Sequence, residues 1–224
     1  MTRYLAMAAL ILTILCSRSL ISAREKPAAA ADKVKTLFDG KSLTGWKVAK
    51  FGDEGAVRVK DGAIIMEKGK MLTGIVYAGD DFPRLNYEIT YQGKKLAGDD
   101  FFCAAVFPVG EDSCSFVAGG WRGTVVGLSN INGANASENE TNRSMTFERD
   151  RWYRFRLRVV KDRIQAWIDD EKVVDFDSSD VKLSLHIAGR PCRPFGLMTF
   201  DTTGAVCDIR LRTVTGPEKD KPSK

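Results

Sequence analysis

Histidine is almost absent from this sequence, which contains one, His186, in 224 residues. A zinc site with three imidazole ligands and the His-Glu-x-x-His motif of metalloproteases both need several histidines, so both are excluded. A Ser-His-Asp triad remains only if His186 is its base. His186 alternates with Leu185 and Ile187, which predicts a solvent-facing side chain, and we interpret it as structural. Any other acid–base chemistry in this chain depends on carboxylates.

Hydrophobic runs long enough to span a membrane are also missing. The apolar run at residues 4–16 is shorter than the roughly 20 residues that a transmembrane helix needs. Arg3 precedes this run, and the small residues Ser22 and Ala23 follow it. The order predicts a signal peptide over residues 1–23, cleaved after Ala23, and hence an exported, periplasmic or extracellular protein without membrane insertion after cleavage. A lipid anchor at Cys16 and an uncleaved N-terminal anchor are the less favoured alternatives.

Clusters of positive charge do not occur either. No run of five or more basic residues is found, and loss of Arg3 and Arg18 with the signal peptide lowers the formal net charge from +5 by two, to +3. Nucleic acids are bound by dense basic surfaces, so no nucleic-acid partner is predicted.

Cysteine is infrequent, and no Cys-x-x-Cys pair is present, which excludes a zinc ribbon and a thioredoxin-like motif. After loss of the signal peptide the chain keeps four cysteines: Cys103, Cys114, Cys192 and Cys207. An even number in an oxidising compartment predicts up to two disulfides, and three pairings are open. We favour Cys103–Cys114 and Cys192–Cys207 because each pair flanks a predicted hairpin, with free buried thiols as an equal alternative.

No segment of ten residues shows a helical stripe, and the clearest pattern has a period of two. Apolar and polar residues alternate over residues 85–91, 153–159, 164–168 and 207–211, and turn pairs such as Asp39-Gly40 and Thr203-Gly204 separate such runs. The pattern predicts an all-β fold, an antiparallel β-sandwich of the two-sheet jelly-roll type, over residues 37–214. Residues 24–36 are predicted to be a linker and residues 215–224 a disordered tail.

Three stretches carry a resemblance to a known family. They are residues 37–46, which read Leu-Phe-Asp-Gly-Lys-Ser-Leu-Thr-Gly-Trp, residues 152–174, and residues 195–211. In this order they resemble the 3-keto-disaccharide hydrolase domain family, whose members are exported bacterial domains with a concanavalin A-like jelly-roll fold. The resemblance implies that fold and the hydrolysis of 3-keto sugars. The family's Asn-Ser-Gly-Ile-type and Gly-Tyr-Glu-like segments have no residue-by-residue counterpart here, so the resemblance assigns no catalytic residue.

The segment 117–144 has the composition of a sugar site, because glycines let a ligand approach the backbone and Trp, Arg, Asn and Glu stack on and hydrogen-bond sugars. A solvated Asn-rich loop is the alternative. The candidate substrate-binding residues are Trp121, Arg122, Asn130, Asn132 and, outside the segment, Trp167, which shares a strand face with Gln165. For Trp167 a half-covered surface ring is the favoured alternative.

Glu138 and Glu140 are the candidate catalytic residues. They share one face if the segment is extended, although the two carboxylates of a glycosidase flank the bond at roughly 5–9 Å. Asp99 and Asp100 are a further source of a carboxylate, or of oxygen ligands for a structural Ca²⁺, as jelly-roll lectins often have. No metal site and no cofactor are predicted, with the structural Ca²⁺ left open.

Two functions from different classes follow from these residues. The first is an exported carbohydrate-active domain that hydrolyses glycosides or 3-keto-glycosides. The second is a non-catalytic, lectin-like module that binds a glycan or a surface partner. Both predict a carbohydrate or glycoside ligand, and the oligomeric state does not follow from the sequence.

Overall fold

The computed structural model describes residues 34–219, which form two antiparallel sheets. The predicted signal peptide, most of the predicted linker and residues 220–224 lie outside the described residues. The fifteen strands are β1 Lys35–Thr36, β2 Trp46–Val48, β3 Val57–Lys60, β4 Ala63–Met66, β5 Leu72–Tyr77, β6 Tyr87–Gly98, β7 Ala104–Val109, β8 Asp112–Gly119, β9 Val125–Ser129, β10 Arg143–Ser144, β11 Trp152–Val160, β12 Arg163–Ile168, β13 Glu171–Asp177, β14 Gly196–Phe200 and β15 Thr202–Thr213.

The sheets stack as the two layers of a sandwich. The eight-stranded sheet has the order β13-β12-β11-β6-β15-β4-β3, with β1 also paired to β15, and the seven-stranded sheet has the order β10-β9-β8-β7-β14-β5-β2. Each sheet contains neighbours that are distant in sequence, such as β6 with β15 and β7 with β14, as in a jelly roll rather than a meander. The predicted all-β antiparallel sandwich is confirmed. Among residues 34–219, none of the helices has the length and apolar character that crossing a membrane requires.

The core lies between the sheets and follows the period of two. Along β6, Tyr87, Ile89 and Tyr91 point inward and are buried, and the β11 partner of Tyr91 is Phe155, whose ring stacks on it at 4.9 Å. Burial of each such side chain contributes roughly 1.5–3 kcal/mol. These aromatic pairs fix the register of the eight-stranded sheet, because a slip by one residue would turn them toward solvent.

The opening motif joins the two sheets. The indole Nε1 of Trp46, on β2 of the seven-stranded sheet, donates to the carbonyl of Leu37 at 2.8 Å, and the Leu37 amide donates to Ile209 on β15 of the other sheet at 2.8 Å. Between them Asp39 accepts hydrogen bonds from the Lys41 and Ser42 amides at 2.8 Å each, and these bonds lower the pKa of its carboxyl.

The ordered fold extends beyond the predicted domain limits on both sides. Lys35 and Thr36, predicted as the end of the linker, form β1 and pair with Leu211 and Arg210 of β15. Within the predicted tail, the backbone of Glu218 forms two hydrogen bonds with the side chain of Gln165, at 2.7 and 2.9 Å. The predicted boundaries at residues 37 and 214 therefore differ from the structure, because short pairings of this kind leave no hydrophobic period in the sequence.

The favoured disulfide pairing is not formed, because Cys103, Cys114, Cys192 and Cys207 are all free thiols, the alternative that the sequence left open. Cys114 lies opposite Phe107, and the extended chain from Ala104, next to Cys103, to Phe107 already spans roughly 10 Å. Disulfide-bonded residues have Cα atoms within about 7 Å of each other. Cys192 packs on the outer face of the seven-stranded sheet and Cys207 on the outer face of the eight-stranded sheet, so the whole sandwich separates them.

Candidate functional site

A pocket of about 390 Å³ lies on the outer face of the seven-stranded sheet. We call it the Trp121 pocket. Its floor consists of strand residues that alternate with core residues and therefore face away from the other sheet. They are Leu72 of β5, Ser115 and Val117 of β8, Ser129 of β9, and Met198 and Phe200 of β14.

The rim of the pocket on the β8 side is a strained turn. Trp121 and Arg122 follow β8 and both have left-handed backbone angles, with φ of 49° and 67°. The Asp100 carboxylate supports the turn, since one oxygen accepts the Arg122 amide at 3.1 Å and the other accepts the Phe101 amide at 2.8 Å. A non-glycine residue in such a conformation costs about 1–3 kcal/mol, a strain that is typical of functional sites. The turn leaves the Trp121 side chain 44% exposed at the pocket.

The opposite wall is the 3₁₀ helix Ile187–Cys192, which lies directly on the sheet. Gly74 and Gly196 permit this approach, because a Cβ on either glycine would lie within 3.2 Å of the Cys192 side chain. Cys192 is buried there, and burial raises the pKa of its thiol to about 12. The wall places Leu185, His186 and Ala188 along the pocket.

His186 caps the start of this 3₁₀ helix. Its Nδ1 accepts the Ala188 amide at 3.3 Å. In a neutral imidazole one nitrogen accepts and the other carries the proton, so the neutral ring with this bond has its proton on Nε2. His186 therefore offers the pocket a hydrogen-bond donor.

Asn130 forms a corner between β9 and the wall. Its backbone amide and carbonyl pair with Ser184, at 2.7 and 3.1 Å, and its Oδ1 accepts the Ser129 hydroxyl. This leaves the Nδ2 group of Asn130 as the donor for a ligand. Asn132 lies outside the pocket. Its Oδ1 accepts the Lys182 amide at 2.9 Å, so it joins the same two chain segments as the hydrogen bonds between Asn130 and Ser184.

The structure does not bring Glu138 and Glu140 into the Trp121 pocket. The sequence predicts that both glutamates share one face only if the segment is extended, and the segment is instead a series of turns. Glu138 closes a turn, because its Oε2 accepts the Asn135 side-chain amide at 2.6 Å and the Asn135 backbone amide at 3.2 Å. Both glutamates are exposed, whereas Asn135 itself lines the pocket.

Trp167 is not an open stacking surface. Its ring is 4% exposed and lies under the Arg156 guanidinium, which is 3.7 Å from the ring centre. It also lies on β12 of the eight-stranded sheet, on the side of the sandwich opposite Trp121. The predicted platform is therefore covered, and the period of two could not reveal the Arg156 side chain that covers it.

A larger cavity of about 640 Å³ surrounds Trp167, but most of its charged groups form ion pairs within the protein. Arg154 lies 3.0 Å from Asp170, and Lys172 lies 2.7 Å from Asp175. We therefore place the candidate site in the smaller Trp121 pocket. Within residues 34–219 no group of three or more His, Cys, Asp and Glu side chains could hold a metal ion, and the Asp100 oxygens serve the Trp121 turn.

The comparisons agree with this architecture. A family model described as a 3-keto-alpha-glucoside-1,2-lyase-like domain matches residues 33–212. The chain belongs to this family. No match was found among curated proteins. Membership in the 3-keto-alpha-glucoside-1,2-lyase-like family confirms the resemblance drawn from the three sequence stretches.

Solved structures with the same fold share little sequence with this member of the 3-keto-alpha-glucoside-1,2-lyase-like family. A Parabacteroides distasonis protein provisionally assigned as a glycosyl hydrolase has a TM-score of 0.52 at 14% identity, over 81% of this chain and 94% of that one. The carbohydrate-binding module CBM66 of Bacillus subtilis has a TM-score of 0.51 at 14% identity, over 75% of this chain and 96% of that one. The exoplasmic/lumenal domain of VIP36, in a Ca²⁺/Man3GlcNAc-bound form, has a TM-score of 0.55 at 11% identity, over 82% of this chain and 90% of that one. At these identities the similarities show that this family member shares the two-sheet sandwich fold of these proteins.

Several residues of the pocket were not predicted from the sequence. The sequence predicts a structural role for His186 and does not assign Phe101, Met71 or Phe200 to a site, although all four line the pocket. One signal was available: residues 196–200 read Gly-Leu-Met-Thr-Phe, and apolar side chains on both faces of a strand indicate cover on both faces. For Phe101 and Met71 the sequence offers no such signal, because loop conformation alone brings them to the sheet.

Proposed function

We propose that this protein is an exported carbohydrate-active domain whose Trp121 pocket binds a neutral sugar or glycoside. The observation that carries the proposal is the exposed Trp121 ring, held by a strained turn at the mouth of a concave pocket that also contains amide and imidazole donors. Sugar sites combine an aromatic surface with a few placed polar groups in this way.

The polar groups of the pocket suit hydroxyl ligands. Asn130 provides Nδ2 and His186 provides Nε2–H, while the hydroxyl oxygens of Ser115 and Ser129 keep lone pairs after donating to protein acceptors. Among the described residues that line the pocket there is no Lys or Arg, and its one carboxylate, Asp100, accepts two backbone amides. This combination favours an uncharged ligand over a uronate or a sugar phosphate.

Alanine at Trp121 is the direct test of binding, with Arg122→Ala as a matched control. Both residues have left-handed backbone angles in the same turn, but only Trp121 lines the pocket. We expect Trp121→Ala to weaken binding of a methyl glycoside at least tenfold by titration calorimetry, because the stacking surface is lost, while Arg122→Ala changes it less than twofold. Equal effects of the two variants would contradict the proposal.

A second candidate function is cleavage of a 3-keto-glycoside, which family membership favours. Elimination across the C1–C2 bond removes the proton next to the keto group and expels the leaving group, so it needs a base. With Nδ1 accepting the Ala188 amide, neutral His186 presents a proton instead, and it becomes a base only if that bond is released. For this reason the geometry supports binding better than catalysis.

The two functions are separated by product analysis. Purified protein incubated with a 3-keto-α-glucoside releases no sugar product by NMR if the domain only binds. Turnover abolished by His186→Asn supports cleavage at the pocket, whereas turnover abolished by Glu138→Gln or Glu140→Gln moves the chemistry to the predicted glutamates. The proposed export is tested separately, by fractionation of cells that produce the full chain.

A further inference from the structure

The Trp121 pocket has one polar corner and one apolar corner, and the strand register separates them. Ser115 and Ser129 lie opposite each other on β8 and β9, in the row that reaches Gly196 of β14 through Val106. Phe200 lies opposite Leu72, four residues further along β14. At about 3.3 Å per residue the two corners are roughly 13 Å apart along the strands.

Exposed apolar side chains are concentrated at this pocket. Within residues 34–219 the large hydrophobic side chains that remain exposed are those of Val34, Met71, Leu85, Trp121 and Ile187. Met71, 58% exposed, and Trp121 line the pocket, and Ile187, 67% exposed, lies between the lining residues His186 and Ala188. Exposed apolar side chains that line a pocket, as those of Met71 and Trp121 do, mark a binding site for an apolar group.

The apolar corner is built from aromatic rings on neighbouring segments. Phe101 and Phe200 have ring centres 5.8 Å apart, and the Phe200 amide donates to the Phe101 carbonyl at 3.0 Å. Gly120, which precedes Trp121, lies against the same side chains: a Cβ there would be 2.8 Å from Val117 Cγ1 and 3.8 Å from Phe101 Cδ1. The turn that holds Trp121 is therefore packed directly beside Phe101.

From these positions we infer that the pocket takes a glycoside with an apolar aglycone, an aromatic or alkyl group, rather than an oligosaccharide. The inference rests on the proposed function. The sugar lies between the Trp121 ring, on which one of its faces stacks, and Ser115, Ser129 and Asn130, where its hydroxyls find partners. The aglycone lies among Phe101, Phe200 and Met71. A second sugar at the apolar corner would leave hydroxyls without partners, each at a cost of about 1–3 kcal/mol.

Three ligands that share one sugar test the inference: methyl α-glucoside, phenyl α-glucoside and maltose, each titrated into the full protein by calorimetry. We expect the phenyl glucoside to bind at least tenfold more tightly than the methyl glucoside, and maltose to bind no more tightly than the methyl glucoside. Tighter binding of maltose, or equal binding of the phenyl and methyl glucosides, overturns the inference and leaves the proposed function intact. Phenol binding as tightly as phenyl glucoside also overturns it, because the sugar would then contribute nothing.

Two variants locate the aglycone. Met71→Ala is expected to lower the ratio of phenyl to methyl glucoside affinity at least threefold, while Leu85→Ala, an exposed hydrophobic residue outside the pocket, leaves the ratio unchanged. Both side chains are exposed, so neither substitution should unfold the chain, and thermal melts verify this. A ratio that is unaffected by Met71→Ala contradicts the assigned place of the aglycone. Failure of all three ligands to bind folded protein counts against the proposed function itself.

Discussion

At the scale of single residues, Trp121 has a backbone conformation that its side chain disfavours. Its φ of 49° lies in the left-handed region, where glycine is favoured, and the adjacent Arg122 shares the strain. The Asp100 carboxylate holds both residues there through the Phe101 and Arg122 amides. Stability and ligand contact therefore oppose each other at this position, as is common at binding sites.

Glycine substitution separates these two effects. We expect Trp121→Gly to leave the free energy of unfolding unchanged or to raise it by up to about 1 kcal/mol, because relief of strain outweighs the greater entropy of the unfolded chain. The same variant should abolish measurable glycoside binding. Arg122→Gly is the control, with the same gain in stability and unchanged binding. Urea denaturation and calorimetry measure both quantities, and a destabilised Trp121→Gly would show that the ring stabilises the turn by packing.

The cysteines illustrate how far residue types alone could lead. An even number predicted disulfides or free buried thiols, and only the strand register decided between them, because it places Cys103 and Cys114 at distant points of neighbouring strands. Burial raises the pKa of the Cys114 thiol to about 12 and raises that of Cys103 well above its usual range. The thiols are therefore unreactive inside the core rather than cross-linked.

Alkylation checks this directly. Iodoacetamide at pH 8 should modify the half-buried Cys207 slowly and leave Cys103, Cys114 and Cys192 unmodified in the folded protein, because the reactive thiolate is disfavoured in all three. In denaturant all four should react. Peptide mass mapping identifies the labelled positions. Peptides that contain two linked cysteines in a non-reduced digest would contradict the free-thiol state.

At the scale of elements, the segment from Gly216 to Glu218 is bound to the outer face of the eight-stranded sheet by hydrogen bonds and ion pairs. We call it the Glu218 segment. The Glu218 carboxylate pairs with Arg156 and, at 3.3 Å, with Arg158, and the Gly216 carbonyl accepts from Arg158 at 3.4 Å. Beneath them lies Glu88, 2% exposed, which pairs with Arg158 and Arg212 at 2.8 and 2.7 Å. Glu218 thus brings a second carboxylate, beside Glu88, to Arg156 and Arg158.

Truncation measures how much the Glu218 segment contributes to the free energy of unfolding. A chain that ends at Thr215 should lose about 1–3 kcal/mol of unfolding free energy, because it lacks the two hydrogen bonds between the Glu218 backbone and the Gln165 side chain and the charge-assisted bonds of the Glu218 carboxylate. A chain that ends at Lys219 keeps every one of these contacts and serves as the control. Equal stability of the two truncated chains in urea would show that the segment is not held in solution.

The stability that the Glu218 carboxylate contributes changes with pH in a defined direction. Hydrogen bonding and charge interaction with Arg156 lower the pKa of the Glu218 carboxyl. A carboxyl whose pKa is lower in the folded state stabilises the fold above its unfolded pKa of about 4.3, and this contribution is lost as the pH falls through the folded value. Glu218→Gln should therefore be less stable than the natural chain at pH 7, and the difference should shrink as the pH falls below about 4.3. A difference that does not change with pH would contradict the ion pair.

The sequence predicted strands well and the site only in part, for a physical reason. Alternation located β6, β11, β12 and β15, because each has one face on the core. The composition of segment 117–144 placed Trp121 and Asn130 among the candidates. Neither alternation nor composition could bring His186 or Phe200 to them, since these come from strands and loops that only the sheet order makes adjacent. The prediction for Glu138 and Glu140 assumed an extended segment, but this segment folds into turns.

At the scale of the whole molecule, the two outer faces of the sandwich differ in kind. The eight-stranded face has ion pairs such as Arg154–Asp170, and its Trp167 ring is covered by Arg156. The seven-stranded face leaves Trp121, Met71 and Ile187 exposed around a pocket with a single acidic residue. Net charge and composition do not reveal this asymmetry, because both average over the two faces.

This asymmetry gives the molecule a front and a back. β1, near the beginning of the described chain, and Glu218, near its end, both lie at the eight-stranded sheet, whereas the Trp121 pocket opens on the other side. A tether joined directly to Val34 or to Lys219, the limits of the described residues, would thus start at the face opposite the pocket. Protein immobilised through such a tether would present its pocket away from the support.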